Sequence, residues 1–228
     1  MSHDITHVEV AFPLRGAVIP VDHGYALFAA LSGCLPRLHE RPEWIIAPVS
    51  GRYTGRGGLR LTARSRLRVR LPGSEIARLL GLAGRRIRIR GSDCVVGHPR
   101  VFALRPCERL RARLVLIKGA AGPAGDLVAA VRRQLAALPG VGEAGESIEI
   151  RPGDRRVMRI KGVAIPGHAV TLEGVPASAS IEIQARGLGG RRHMGAGVFV
   201  PLRRERGGTG ERAGGPIIAS VGGVHRVV

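Results

Sequence analysis

Aromatic residues, lysine, acids and paired cysteines are all scarce in this chain, and each shortage closes off a class of protein. Phe, Trp and Tyr make up 3% of the 228 residues, too few for a run of rings that stack successive bases. Cys34, Cys94 and Cys107 are odd in number and form no C-x-x-C pair, which argues against a disulfide framework or a zinc knuckle and for a reducing compartment. The opening MSHDITH lacks a secretory leader pattern, and the longest apolar run, Ala26 to Leu31, is far below the roughly 20 residues of a membrane span. A soluble, cytoplasmic protein with no membrane partner is therefore expected. Acids are outnumbered, 17 Asp+Glu against 36 Lys+Arg, for a formal net charge of +19. That excess points to a polyanionic partner, nucleic acid before membrane. Only Lys118 and Lys161 are lysines, so the charge is carried by arginine, whose planar fork suits phosphate. No carboxylate cluster and no His/Cys/carboxylate spacing of a metal site is visible, so neither a metal nor a cofactor is expected.

Glycine, by contrast, is abundant, and it concentrates in GLGGRRHMGAG at 187–197. Gly187-Leu188-Gly189 and Gly195-Ala196-Gly197 flank an insert that carries Arg191, Arg192 and His193. Glycine lets a ligand approach the main chain, and exposed N–H groups beside arginines suit phosphates. Two familiar glycine loops do not fit. A dinucleotide fingerprint from Gly187 needs glycine where Arg192 stands, and a P-loop from Gly190 needs Lys and Ser or Thr where Ala196 and Gly197 stand. What is left suits a polyanion backbone better than a nucleoside triphosphate. The plainer alternative is a tight turn between a helix and a strand.

Hydrophobic content of 44% supports a folded chain long enough for two domains. His7 to Leu14 alternates as a half-buried strand. Asp22 reads as the N-cap of a helix running to Pro36. Short strands follow at Trp44–Val49, Leu59–Thr62 and Leu67–Leu71, then a helix from Ser74 and a strand at Arg85–Arg90. After a boundary at Arg105–Glu108 the pattern restarts: strand Leu110–Ile117, helix Asp126–Leu138, strands Ser147–Arg151, Val157–Lys161 and Ala164–Leu172 with a hairpin at Gly162 or Pro166-Gly167. A helix from Pro176 to Arg186, or a strand around Ile181–Ile183, then leads to the glycine loop and a last strand at Val198–Leu202. GLAGRR at 81–86 echoes GLGGRR at 187–192. The fold class expected is α+β, two tandem ferredoxin-like (RRM-like) β-α-β-β-α-β domains at 1–105 and 109–202, with a basic glycine-rich tail at 203–228.

Taken together, AFPLRG, DHGYALFAAL, RARLVLIKG and GLGGRRHMGAGVFVP resemble the RAMP superfamily, and within it the CRISPR-associated endoribonucleases of MYXAN-type systems that process precursor CRISPR RNA. The resemblance spans roughly residues 8 to 202. It implies metal-independent cleavage of repeat RNA by attack of a ribose 2′-OH on the adjacent phosphate, leaving a 2′,3′-cyclic phosphate and a 5′-OH. The implied partners are CRISPR repeat RNA, as precursor and mature guide RNA, and other subunits of an effector complex. The alternative is a non-catalytic RAMP subunit that holds guide RNA. Such chemistry needs a base, a donor for the leaving oxygen and cations for the phosphorane charge. His23 is the first candidate base, because the first turn of a helix keeps an imidazole neutral and the family places a histidine in or near this helix. Tyr25 and His39 match the family's other positions. Gly187, Gly189, Gly195 and Gly197 would shape the RNA-binding loop, with Arg191, Arg192 and His193 toward the backbone. Arg159 and Lys161 resemble hairpin cations that meet the repeat stem, although alternating charges also suit a solvated strand face.

Overall fold

Thirteen strands and four helices are built from the short periodic segments of the chain in a computed structural model that describes residues 7–120 and 124–202. β1 (His7–Gly16) puts Val8, Val10, Phe12 and Leu14 on one face, all buried. After β2 (Val18–Pro20) comes α1 (Gly24–Ser32), which turns Leu27 and Leu31 inward. β3 (Ile45–Ala47), β4 (Arg52–Tyr53), β5 (Gly58–Arg60) and β6 (Arg66–Pro72) lead to the short α2 (Ile76–Leu80). β7 (Arg86–Ile89), β8 (Ser92–Val96) and β9 (Arg100–Ala103) complete the first half. The first sheet runs β3-β6-β1-β8-β7, with β9 paired beside β8 on the same edge of β1.

The second half repeats that plan with longer helices. β10 (Leu110–Val115), α3 (Ala124–Ala136), β11 (Glu149–Ile160), β12 (Val163–Glu173), α4 (Ala177–Arg186) and β13 (Phe199–Pro201) give a sheet ordered β11-β12-β10-β13. In both sheets the strand after the first helix is outermost, its partner lies next to the first strand, and the last strand closes the other side, all antiparallel. That is the ferredoxin-like order twice over, as the element pattern predicts. Each half has its own core, one around Phe12, Leu31 and Leu67, the other around Leu110, Val131 and Phe199.

Several boundaries differ from expectation for physical reasons. The carboxylate of Asp22 does not cap α1; it accepts the backbone N–H of Arg159 at 2.8 Å, and His23 takes the N-cap position. The two strands expected at 147–151 and 157–161 are one strand, β11, that absorbs the intervening residues as a bulge between Pro152 and Arg155. Its hairpin turns at Lys161 (φ 49°) and Gly162 (φ 84°), both left-handed as a two-residue turn requires. Pro166-Gly167 lies inside β12 instead. Ile181 to Ile183 is helical, because Ile183 packs into the second core one helical turn after Ala179. Of a three-stranded sheet, β2-β5-β4, β5 falls on the strand expected at Leu59–Thr62, while β2 and β4 are too short to show alternation. The expected tail at 203–228 lies outside the described residues.

A buried guanidinium joins the halves. Arg70 of β6, 2% exposed, bonds Glu9 at 3.0 Å and the carbonyls of Gln184 and Phe199 at 2.9 and 2.6 Å. Burial pushes its pKa down while Glu9 opposes that shift. No described helix is long and apolar enough to cross a membrane.

Candidate active site

Close backbone packing explains the four glycines of the 187–197 loop. All four have positive φ, between 62° and 84°. A Cβ at Gly197 would stand 1.9 Å from the Leu188 carbonyl oxygen, at Gly187 2.4 Å from that of Gly197, at Gly189 2.6 Å from that of Leu116, and at Gly195 2.9 Å from the Pro48 ring. The loop's amides are used inside the protein: Gly190 N–H donates to Leu116 O, Gly197 N–H to Leu114 O, Leu188 N–H to Gly197 O and Gly189 N–H to the Gln134 side chain. This corrects the expectation of a phosphate cradle of glycine amides. The loop is instead fastened to the end of β10, and what it offers outward is the insert.

That insert reaches the first half of the chain. Arg191 (φ 62°) turns the backbone into a 3-10 turn at Arg192–Met194, and its own side chain is exposed. The Arg192 guanidinium donates to Gly189 O at 3.0 Å and Pro42 O at 3.3 Å. His193 contacts Arg41 O through Nε2 at 2.6 Å and stacks on Phe28 of α1 with ring centroids 5.7 Å apart. A carbonyl can only accept, so Nε2 carries the proton and Nδ1 keeps its lone pair. Burial lowers the His193 pKa, with Arg192 acting in the same direction and the Arg41 bond opposing. Across from it, a 3-10 turn at Leu38–Glu40 carries His39, whose side chain is 71% exposed and 3.6 Å from Glu40. Glu75 fixes the segment that follows by accepting from Arg41 at 2.7 Å and from the Trp44 indole.

His23 and His39 are placed very differently. The His23 ring is 3% exposed, with Nδ1 3.0 Å from Pro20 O and Nε2 accepting the Val49 N–H at 2.9 Å. Both nitrogens are spent on the backbone, and burial lowers the pKa. As placed, His23 has no free lone pair for an RNA proton, so the expectation of a base here is corrected: it is a neutral bolt between the start of α1 and the end of β3. Tyr25 is half-buried, three residues before Phe28 and on the same helical face. Arg159 and Lys161 are exposed on the β11–β12 hairpin, which Asp22 ties to the start of α1. The structure thus gathers Arg192 and His193 with Phe28 and the His39 turn. Phe28 and Arg41 were not singled out in the sequence; the Tyr25–Phe28 spacing could have found the first, while no local signal links Arg41 to Glu75. Among the described residues no three His, Cys, Asp or Glu side chains gather as a metal site.

A duplicated ferredoxin-like chain whose second unit clamps a glycine loop onto the first helix region defines the structural class. Comparison with known proteins makes it specific. The family described as "Cas6 Crispr" matches residues 8–204. The CRISPR-associated endonuclease Cas6 of Myxococcus xanthus (strain DK1622) is 40% identical over 197 residues, 86% of this chain and 82% of that relative. The chain belongs to the Cas6 family. Its fold also matches solved structures, a Cas6-related protein from Pyrococcus furiosus (TM-score 0.62, 14% identity, covering 88% of this chain and 99% of that one) and a RAMP protein described as binding different RNA substrates (TM-score 0.60, 11% identity, 87% and 100%).

Proposed function

We propose that this protein is an endoribonuclease that cuts CRISPR repeat RNA in precursor transcripts in the cytoplasm, with His39 as the base. The ribose 2′-oxygen attacks the adjacent phosphorus as His39 takes its proton; the bond to the 5′-oxygen breaks, leaving a 2′,3′-cyclic phosphate and a 5′-OH. The Tyr25 hydroxyl donates to the leaving oxygen, and Arg191 and Arg192 offset the phosphorane charge. His193, neutral and held by Arg41, orients the phosphate. Arg159 and Lys161 meet the paired stem. The reaction so written uses no metal.

One observation carries this reading: the insert of the glycine loop bonds the backbone of Arg41 and Pro42, directly after the turn that presents the exposed His39. That supports a reading in which Arg191 and Arg192 meet the phosphate near a solvent-open imidazole. Family membership supports the nuclease activity, since the Myxococcus relative is named a CRISPR-associated endonuclease.

The test is cleavage of labelled repeat RNA in EDTA, beside the same RNA with a single 2′-deoxy at the cut. His39→Ala should slow cutting about 10²-fold with folding intact, the 2′-deoxy should block it, and the upstream product should resist 3′-end labelling until its cyclic phosphate is opened and the resulting phosphate removed. Unaltered cutting by His39→Ala would sink the assignment. Tight binding without any cut would favour a guide-holding subunit.

A further inference from the structure

We infer that the edge of the first sheet's outer face left uncovered by the second half carries a second RNA contact, a stacking site for one unpaired base on Phe102 with its phosphate beside Arg100 and Arg66. The inference rests on the reading that this protein handles repeat RNA.

Phe102 is the observation that demands an explanation. Phe12 and Phe199 are fully buried, Trp44 is 2% exposed and Phe28 is stacked on His193, whereas Phe102 is 49% exposed. It sits on β9, where every residue is exposed. An edge strand with bare apolar side chains is a liability that a monomeric soluble protein ordinarily blunts. On the face turned away from α1 and α2, Phe102 lies opposite Glu9, Arg100 opposite Ala11, and Pro13 opposite Arg66. The small Ala11 and the flat Pro13 leave a hollow of about 250 Å³ bounded by Arg66, Arg100 and Phe102. That volume falls just under the roughly 300 Å³ at which small-molecule pockets begin, room for one flat ring system and not for an extended ligand.

Charge decides the occupant. The Arg100 side chain has no hydrogen bond or ion pair among the described residues, and Glu9, the acid of this face, is already held by Arg70 and Arg68. Among the described residues the Arg66 side chain bonds only the carbonyls of Ala63 and Ser65 and no acid. A ring to stack on, a shallow floor and two cations without acids fit a nucleotide of single-stranded RNA, because every base offers a π-face and carries a phosphate. β9 and β3 lie on opposite sides of β1 and β6, so this contact is separate from the glycine loop at β3 and would hold unpaired RNA leading to or from the cut.

The full-length protein would be titrated with two labelled probes, the repeat trimmed to its stem and the same stem with unpaired flanks. Phe102→Ala should weaken the flanked probe about tenfold, the loss of one base stack, and leave the stem-only probe unchanged; Phe102→Trp should restore binding, and Arg100→Ala should lower the salt slope by about one. Equal affinity of Phe102→Ala and wild type for the flanked probe overturns the site. Loss of self-association in that variant with RNA affinity unchanged also overturns it, in favour of a contact between copies. If wild type holds the flanked probe through Phe102 yet never cuts it, the processing reading falls and this site stands.

Discussion

GLAGRR at 81–86 and GLGGRR at 187–192 occupy similar places in the two halves, each directly after the second helix, yet they are built differently. Each buries its leucine completely or nearly so, Leu82 at 0% and Leu188 at 1%. The first is a bare turn: Gly84 has φ 78°, nothing lies within 4 Å of where its Cβ would be, and the turn closes by its N–H to Val96 O. The second continues into an insert and a second glycine pair, and its glycines touch β10, Pro48 and each other. Glycine content alone therefore does not fix a loop in place; the neighbouring backbone against which the glycines press does.

The sharpest way to break that comparison is alanine in each loop. Gly197→Ala, with both a forbidden φ and a carbonyl in the way, should cost about 4 kcal/mol in denaturant unfolding, against about 1 kcal/mol for Gly84→Ala, where only the left-handed conformation is strained. Equal losses would mean that the contacts of the second loop contribute nothing. Removing the joint between the halves comes next: Arg70→Ala takes from Glu9 its nearer partner, leaves two carbonyls unpaired and should cost about 3 kcal/mol by the same measurement. His39→Ala should act on chemistry instead, about 2.7 kcal/mol of barrier for a 10²-fold slower single-turnover cut, with unfolding midpoints unmoved. Acid probes the buried imidazoles. Burial holds His23, and less completely His193 and His7, below the ordinary 6.5, so the unfolded chain binds more protons once pH drops beneath 6.5. Stability should thus be full above that pH and fall as pH moves down toward the folded values, by up to about 1.4 kcal/mol per unit for each group; His23→Asn should flatten the urea-midpoint profile. The smallest effect belongs to Arg191→Ala, a several-fold weaker RNA affinity with a salt slope reduced by about one.

The helix–strand order was legible because core periodicity is local: the alternation of Val8, Val10 and Phe12 and the spacing of Leu127, Val131 and Leu135 follow directly from which side faces inward. What stayed hidden depends on partners far along the chain. Asp22 looks like a cap until Arg159 supplies a better donor, and His23 looks like a base until Pro20 and Val49 occupy its two nitrogens. β9, all exposed, has no buried face to leave a pattern. Within the candidate site, the sequence pointed to Arg192, His193 and His39 one at a time; their juxtaposition depends on contacts at least 150 residues apart, between Arg192 and Pro42 at 150 and between His193 and Arg41 at 152.

Arg70 also sets an order of events in time. Its carbonyl partner Phe199 lies 129 positions later, which at about 5–20 residues per second means a wait of roughly 6–26 s on the ribosome. Glu9, 61 positions earlier, is already made when Arg70 emerges and can hold the guanidinium through that interval. The first half thus waits with Arg70 neutralised but unlatched, and β13, the last strand among the described residues, is the one that locks it.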